Sequence, residues 1–343
     1  PDRLRHSTTA LWHSHGWYDE NTLDRWEWQR ARVFLTVEDI WTMSFVVPYI
    51  TPMLENAGAN VFLPRERDIQ THEIIIDADG SSEGAVYQEL GETLQDGKEK
   101  GFGLKVPFLL EGENPFQMGG TRQMNAQINA TSRVIYTPEI TESGDYAVSV
   151  SYVQNDENVT DAHYTVYHSG GKTEFLVNQI IGGGTWIYLG TFRFEKGKNA
   201  KIELTNQSNE TGKRVSVDAV RFGGGMGNVV RGRAEDMDQL LKLRDAHGFA
   251  VDSSRWMPFA SRRPRYQEGA RYYLQYAGMP DTLVYILNKA KVDYSNRGKD
   301  AAAFAKREAG KNDYKDDYQS RGEWVNYLMG APNGPTGNPE AKG

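Results

Sequence analysis

The stretch His13-Ser14-His15-Gly16, followed by Glu38, holds residue types suited to a divalent transition metal. Imidazole and carboxylate are zinc donors, and a catalytic zinc takes three protein ligands and leaves a position for water. His13 and His15 lie two apart on what reads as extended chain, so they share a side and either can face a metal. On spacing alone, polar loop residues and a solvated helix start at Glu38-Asp39 are the simpler account. A second acidic group, Asp313, Asp316 and Asp317, offers oxygen donors for calcium but lacks the EF-hand spacing and glycine, which makes a solvated turn the simpler reading. Arg65, Arg67 and Asp68 suit either a local charge network or contact with an anionic substrate. Trp186 and Tyr188 share one face of a strand: exposed they form a sugar-stacking platform, buried they are core. No P-loop, dinucleotide fingerprint or Gly-x-Ser-x-Gly elbow with triad partners occurs, which disfavours nucleotide chemistry and serine hydrolysis.

These residues need elements to position them. Thr8 to Trp12 reads as a buried strand that delivers the histidine loop at its C-terminal end, where ligand sites concentrate. Val37, Ile40, Trp41, Ser44, Val47, Ile50 and Leu54 recur at helical steps, with Pro48 and Pro52 predicting a kink and Ala57-Gly58 a stop. Ala59 to Leu63 then reads as a second strand, giving the strand-helix-strand unit of a mostly parallel sheet. Asp77 to Gly120 has no sustained period and reads as a connecting region. Between Arg133 and Phe222 short alternating segments separated by Gly, Asn, Asp and Ser clusters predict an antiparallel sandwich. Helical periodicity returns at Ala234 to Ala246 and Glu268 to Ala277, with a strand over Thr282 to Leu287 and a short helix over Ser320 to Met329. The expected fold class is therefore an α/β domain, a mostly parallel sheet with flanking helices, interrupted by an all-β antiparallel sandwich. The boundaries are residues 1–120 and 226–343 for the two parts of the α/β domain and 121–225 for the insert.

Composition narrows the function classes. With 343 residues, two domains are expected. A net charge of −7 leaves no broad basic surface, so nucleic acid is not an expected partner. No apolar run approaches the length needed to span a bilayer. Zero cysteines exclude disulfides, thiolate metal sites and a cysteine nucleophile, and leave the compartment open. Four Asn-x-Ser/Thr acceptor patterns, at Asn129, Asn158, Asn206 and Asn209, carry little weight in an Asn- and Thr-rich β region.

Leu11-Trp12-His13-Ser14-His15-Gly16, Glu38 and the stretch Leu54 to Arg65 resemble the opening of the zinc-dependent N-acetylmuramoyl-L-alanine amidases of the amidase-3 type. Matched residue by residue, His15 falls on that family's first zinc histidine and Glu38 on its zinc glutamate. The chain departs from the pattern at Ser14 and Trp17, where the family's loop is glycine-rich, and at Pro64, where it has threonine. The middle segment is similar to the golvesin C-terminal or xanthan-lyase carbohydrate-binding-like module, through Tyr136-Thr137-Pro138, Gly144-Asp145-Tyr146, Gln179 to Trp186, Leu189 to Phe192 and Asp218 to Phe222. The combination is similar to the large envelope proteins of Bacteroidetes labelled xanthan lyase.

The resemblance implies a zinc amide hydrolase acting on peptidoglycan in the bacterial cell envelope or secreted, with a glycan-binding insert. Zinc would be held by His15, Glu38, with His13 a substitute, and a third ligand outside this chain. The general acid-base glutamate is expected beyond Gly343, and the chain reads as a front fragment whose own C-terminal part is a partner. Arg65, Trp186 and Tyr188 are the substrate-binding candidates. The alternative is a non-catalytic surface protein that binds glycan or serves as a scaffold, and the third reading is a polysaccharide lyase.

Overall fold

The computed structural model describes residues 4, 7–20, 25–30, 32–103, 109, 113–227, 261–284 and 301–328, with side chains of the last stretch from 313 onward. The chain divides into two compact units: unit 1 takes residues 1–67, 106–113 and 227–343, and unit 2 takes 68–105 and 114–226.

In unit 1, β1 (Thr8–Ala10) is followed by a hairpin of β2 (Trp17–Glu20) and β3 (Arg25–Trp28) and a second hairpin of β4 (Arg32–Val33) and β5 (Thr36–Val37). Helix α1 (Glu38–Phe45), a π-helical turn over Val46–Ile50 and α2 (Thr51–Asn56) lead to β6 (Asn60–Phe62), which pairs with β1 in parallel. Pro48 lies in the π turn, where a missing N–H and a ring clash make the regular helical ladder untenable, so the expected kink takes this form. The helix stops as its Ala-Gly end predicts: Gly58 adopts φ 97°, Gly58 N–H donates to the Glu55 carbonyl (2.9 Å) and Ala59 N–H to that of Leu54 (3.0 Å).

The buried stripe of this helical stretch differs from the expected one. Val37, Met43, Val47 and Thr51 are buried, while Ile40, Trp41 and Ile50 are exposed. The sequence period is compatible with either phase because both stripes are apolar. Among the described residues β1 and β6 form a two-stranded sheet only, so the wider parallel sheet of an amidase-like fold is not shown.

The later part of unit 1 holds α3 (Ala270–Tyr276), α4 (Asp281–Val284) and α5 (Ala301–Leu328). Where a strand was expected from Thr282, residues up to Val284 are helical, and α5 begins well before Ser320. The helix expected over Ala234 to Ala246 lies outside the described residues.

Unit 2 begins at Asp68, well before Thr121, because three strands come from the region that reads as connection. These are β7 (Ile74–Ile76), β8 (Val86–Gly91) and β9 (Gln95–Asp96). Then follow β10 (Arg122–Asn125), β11 (Ser132–Thr137), β12 (Gly144–Val150), β13 (Ala162–His168), β14 (Gly171–Val177), β15 (Ile187–Phe194), β16 (Lys201–Thr205), β17 (Arg214–Val217) and β18 (Val220–Phe222). They form sheets in the orders β14-β13-β16-β11-β8, β15-β12-β18-β7 and β17-β10-β9, all antiparallel. Alternation sends Val134 and Tyr136, Tyr164 and Val166, and Ile202 and Leu204 from the first sheet against Tyr146, Val148 and Val150 of the second, and this is the sandwich core.

The acceptor patterns at Asn158 and Asn206 are structural. Both are buried, and Asn206 Oδ1 accepts from Thr131 and Ser132 N–H (2.9 Å each) while its Nδ2 donates to the Asn125 carbonyl (2.8 Å). Asn206→Ala leaves these backbone groups unsatisfied, and urea unfolding of unit 2 is expected to show a loss of about 2–3 kcal/mol. A loss under about 0.5 kcal/mol would mean that water replaces the amide.

Candidate functional site

The histidine loop of unit 1 is closed by a buried arginine. Arg65 donates Nε to the Glu268 carbonyl (2.8 Å), Nη1 to those of His13 (3.2 Å) and His15 (2.6 Å), and Nη2 to that of Tyr266 (2.9 Å). It is fully committed to backbone, and burial lowers its pKa to about 10, so it is a clamp on the loop rather than a substrate contact. The neighbouring charges are also spoken for: Arg67 pairs with Glu55 (2.8 Å), and Asp68 caps Gln70 N–H (2.8 Å) in unit 2.

His13 is 1% exposed, and neither ring nitrogen has a hydrogen-bond partner among the described residues. Burial, then the guanidiniums of Arg65 and Arg321, push its pKa well below the ordinary imidazole value. His15 is lowered too, by burial first and then by the guanidiniums of Arg321 and Arg30; its Nδ1 lies 3.2 Å from Arg321 Nη2, which assigns the proton to Nε2. Glu38 is exposed, while Asp39 is buried and accepts from Ser14 Oγ (3.3 Å) and Arg30 N–H (3.2 Å). A helix turns about 100° per residue, so the acid that meets the loop is Asp39 rather than Glu38. No group of three or more His, Asp or Glu that could hold a metal is found among the described residues. Among the described residues, the loop thus presents two imidazoles without a cluster of three metal donors. His72 belongs to unit 2 and contacts Glu142 at 3.2 Å.

Asp313, Asp316 and Asp317 are buried on α5 instead of lying in a solvated turn. Tyr272 Oη donates to Asp313 (2.8 Å), Arg271 approaches Asp313 at 3.8 Å, and Arg321 approaches Asp317 at 3.6 Å. Sequence reasoning missed Arg271, Tyr272 and Arg321 as the partners. The available signal was the run of unlike charges over 313–321, with the single charge of Ala270–Tyr276, Arg271, as a counterpart.

In unit 2, Trp186 is buried, packed on Phe102 (4.7 Å between ring centroids) and Phe116 (5.2 Å), with the Arg221 guanidinium 5.3 Å from its ring. It is core. Tyr188 is half-buried and its hydroxyl meets Thr191 Oγ1 (2.9 Å). The two do not form an exposed platform.

Elsewhere on unit 2, a shallow surface cleft lies on the β17-β10-β9 sheet. Gln123 sits opposite Ser216 in the register, so both side chains and Arg214 share one face. Glu99, Asn155 and Asn158 complete the polar wall. The wall is fixed from behind: buried Gln179 Nε2 donates to the Ser216 carbonyl (2.9 Å), its Oε1 accepts Ser216 N–H (2.8 Å), and Asn158 Nδ2 donates to the Val153 carbonyl (2.7 Å). Asn155 Nδ2 donates to Glu99 Oε1 (3.3 Å), and Arg214 Nη1 pairs with Glu157 (3.2 Å). At the edge Arg122 makes a two-point contact with Glu89 (2.8 and 3.0 Å), which holds the glutamate below its usual carboxylate range. Such a surface can exchange hydrogen bonds with a polyhydroxylated ligand.

Residues 111–224 match the family model described as the Golvesin C-terminal domain, so this part of the chain is similar to that module. Xanthan lyase of Bacillus sp. strain GL1 is 29% identical over 93 residues, which is 27% of this chain and 10% of that protein. The chain thus spans about a tenth of the length of the curated relative it matches. Among solved structures, Paenibacillus xanthan lyase is similar at 24% identity, covering 46% of this chain and 13% of that one, with a TM-score of 0.35. The CBM36-1 domain of a multidomain xylanase from the hindgut metagenome of Trinervitermes trinervoides is similar at 15% identity, covering 45% of this chain and 98% of that domain, with a TM-score of 0.30.

Proposed function

We propose that unit 2 is a glycan-binding module of a bacterial surface protein. The observation that carries this reading is the cleft whose wall is built from amide, hydroxyl and guanidinium groups held in place by buried Gln179 and Asn158. Pre-positioned planar polar groups recognise sugar hydroxyls without a large ordering cost. The xanthan lyase that is similar over 93 residues is named for action on xanthan, which is in keeping with a glycan as ligand here. Affinity electrophoresis of the intact chain through gels containing bacterial and plant polysaccharides tests the reading. Retardation by at least one polysaccharide is expected, with Gln123→Ala and Asn155→Ala each weakening it about tenfold. Free migration in every gel, or retardation that ignores both substitutions, removes the cleft as a glycan site.

A second reading, zinc-dependent amide hydrolysis on peptidoglycan by unit 1, is favoured by one observation: burial holds His13 and His15 neutral, the form that ligates a metal. If zinc binds there it would polarise an amide carbonyl and activate water. Metal analysis of the intact chain and of His15→Ala and His13→Ala decides it. Zinc bound stoichiometrically and lost on substitution of either histidine supports the reading, and a metal-free intact chain rejects it.

A further inference from the structure

We infer that the unit 2 cleft selects a glycan carrying an isolated carboxylate, a uronic acid residue among neutral sugars, through Arg214. The inference rests on the glycan-binding reading above. Three observations define the ligand. Arg214 lines the cleft on the same sheet face as Gln123 and Ser216. Its side chain is 35% exposed, and among the described residues it pairs with Glu157 through a single-point contact of 3.2 Å, the glutamate side chain being 65% exposed. Glu99 lies in the wall, held by Asn155.

An exposed ion pair of this kind is weak, so an incoming carboxylate can take the place of Glu157 at little cost. A guanidinium offers a planar fork that a carboxylate meets at two points, and a two-point contact is stronger than the single-point one it replaces. The hydroxyls of the same sugar then fall to the Gln123 and Asn155 amides of the same wall. Glu99 sets the limit. A ligand with a carboxylate on every residue brings a second negative charge toward this glutamate, where like charges repel. The cleft therefore favours a single carboxylate over a polyuronate.

The test is calorimetric titration of the intact chain with three probes. These are a glucuronate-containing oligosaccharide with neutral neighbours, the same oligosaccharide after reduction of its carboxyl to the primary alcohol, and an oligogalacturonate. The first should bind about ten times more tightly than the second, and more tightly than the third. Arg214→Gln should abolish the difference between the first two, and Glu157→Gln, which removes the competing carboxylate, should tighten the first. Circular dichroism of both variants is expected to match the parent, since neither side chain is buried. If the acidic and reduced probes bind equally and Arg214→Gln changes nothing, the carboxylate inference is wrong while glycan binding stands. If none of the probes binds, and the polysaccharide gels are also negative, both fail together.

Discussion

Arg65→Ala is expected to destabilise unit 1 by about 3–5 kcal/mol, because four carbonyl oxygens lose a donor in a place closed to water. Arg65→Met keeps the volume and loses the donors, so it should be nearly as damaging. Arg65→Lys, with one compact ammonium, cannot span carbonyls that belong to His13, His15, Tyr266 and Glu268, and should recover only part of the loss. Urea unfolding followed by tryptophan fluorescence measures this, since Trp17, Trp26 and Trp28 all lie in unit 1. A change under about 1 kcal/mol for Arg65→Ala, with Arg65→Met equal to the parent, would show that packing and not hydrogen bonding closes the loop.

The second large effect concerns pH. Burial and the facing carboxylates of Asp218 and Asp79 push the Asp77 carboxyl up to about 8, and burial pushes Asp218 up to about 6. Asp218 nevertheless holds Phe102 N–H (3.0 Å) and the Ser151 hydroxyl (2.7 Å), and Asp77 holds Ala78 N–H (2.6 Å). An unfolded aspartate titrates near about 3.9, so between that pH and the folded values the native state keeps protons that the unfolded chain has released. Their contribution to stability is complete below about pH 3.9. It declines as pH rises toward 8, by up to about 1.4 kcal/mol per pH unit for each group still protonated in the native state. Glu89, depressed by Arg122, works in the opposite sense, and its contribution fades only as pH falls below the ordinary carboxylate range.

Asp77→Asn keeps an acceptor for Ala78 N–H and removes the charge. It should flatten the decline between pH 5 and pH 8 and leave unit 2 more stable than the parent at pH 8, by about 2 kcal/mol or more. Trp186 is the single tryptophan of residues 68–105 and 114–226, so its fluorescence reports this unit. Parallel pH profiles for parent and variant would mean that the two carboxyls do not face each other in solution.

Several elements were legible before the structure. The hairpin strands from Ser132 onward alternate strongly enough to give their inward faces, as Tyr164 and Val166 do, and the Ala-Gly helix end announces itself through a residue that tolerates φ 97°. The first strands of unit 2 were not. Gln95–Asp96 contains no apolar residue and is a strand only because β10 supplies its ladder, and Val86–Gly91 is half polar and lies at a sheet edge beside β11. Information about a distant partner is absent from any local window. The same reason hides the burial of Asp313 and Asp317, whose ion-pair and hydrogen-bond partners include Arg271 and Tyr272, some forty residues away by their numbering. The site candidates split along similar lines. His13 and His15 lie in one loop, and Glu38 was assigned through the family resemblance; that Asp39 is the acid meeting Ser14 is a matter of helix phase, which a mixed apolar stripe leaves undetermined.

The division of the chain has a consequence for the order in which it is made. Unit 2 needs nothing past residue 226, whereas unit 1 draws on 1–67, 106–113 and 227–343. A ribosome delivers the N-terminus first. The four-stranded sheet holds a place for β18 between β12 and β7, so the sandwich closes only when Val220–Phe222 has emerged, and is then complete. At that moment the Tyr266 and Glu268 carbonyls that Arg65 grips, and the helix carrying Asp313 and Asp317, are still unsynthesised. The first sixty-seven residues therefore wait, with Arg65 short of two of its four acceptors, while the sandwich is already native. A chain ended just after Gly227 and released would yield a protease-resistant core of unit 2 with an opening segment that is still a client for chaperones.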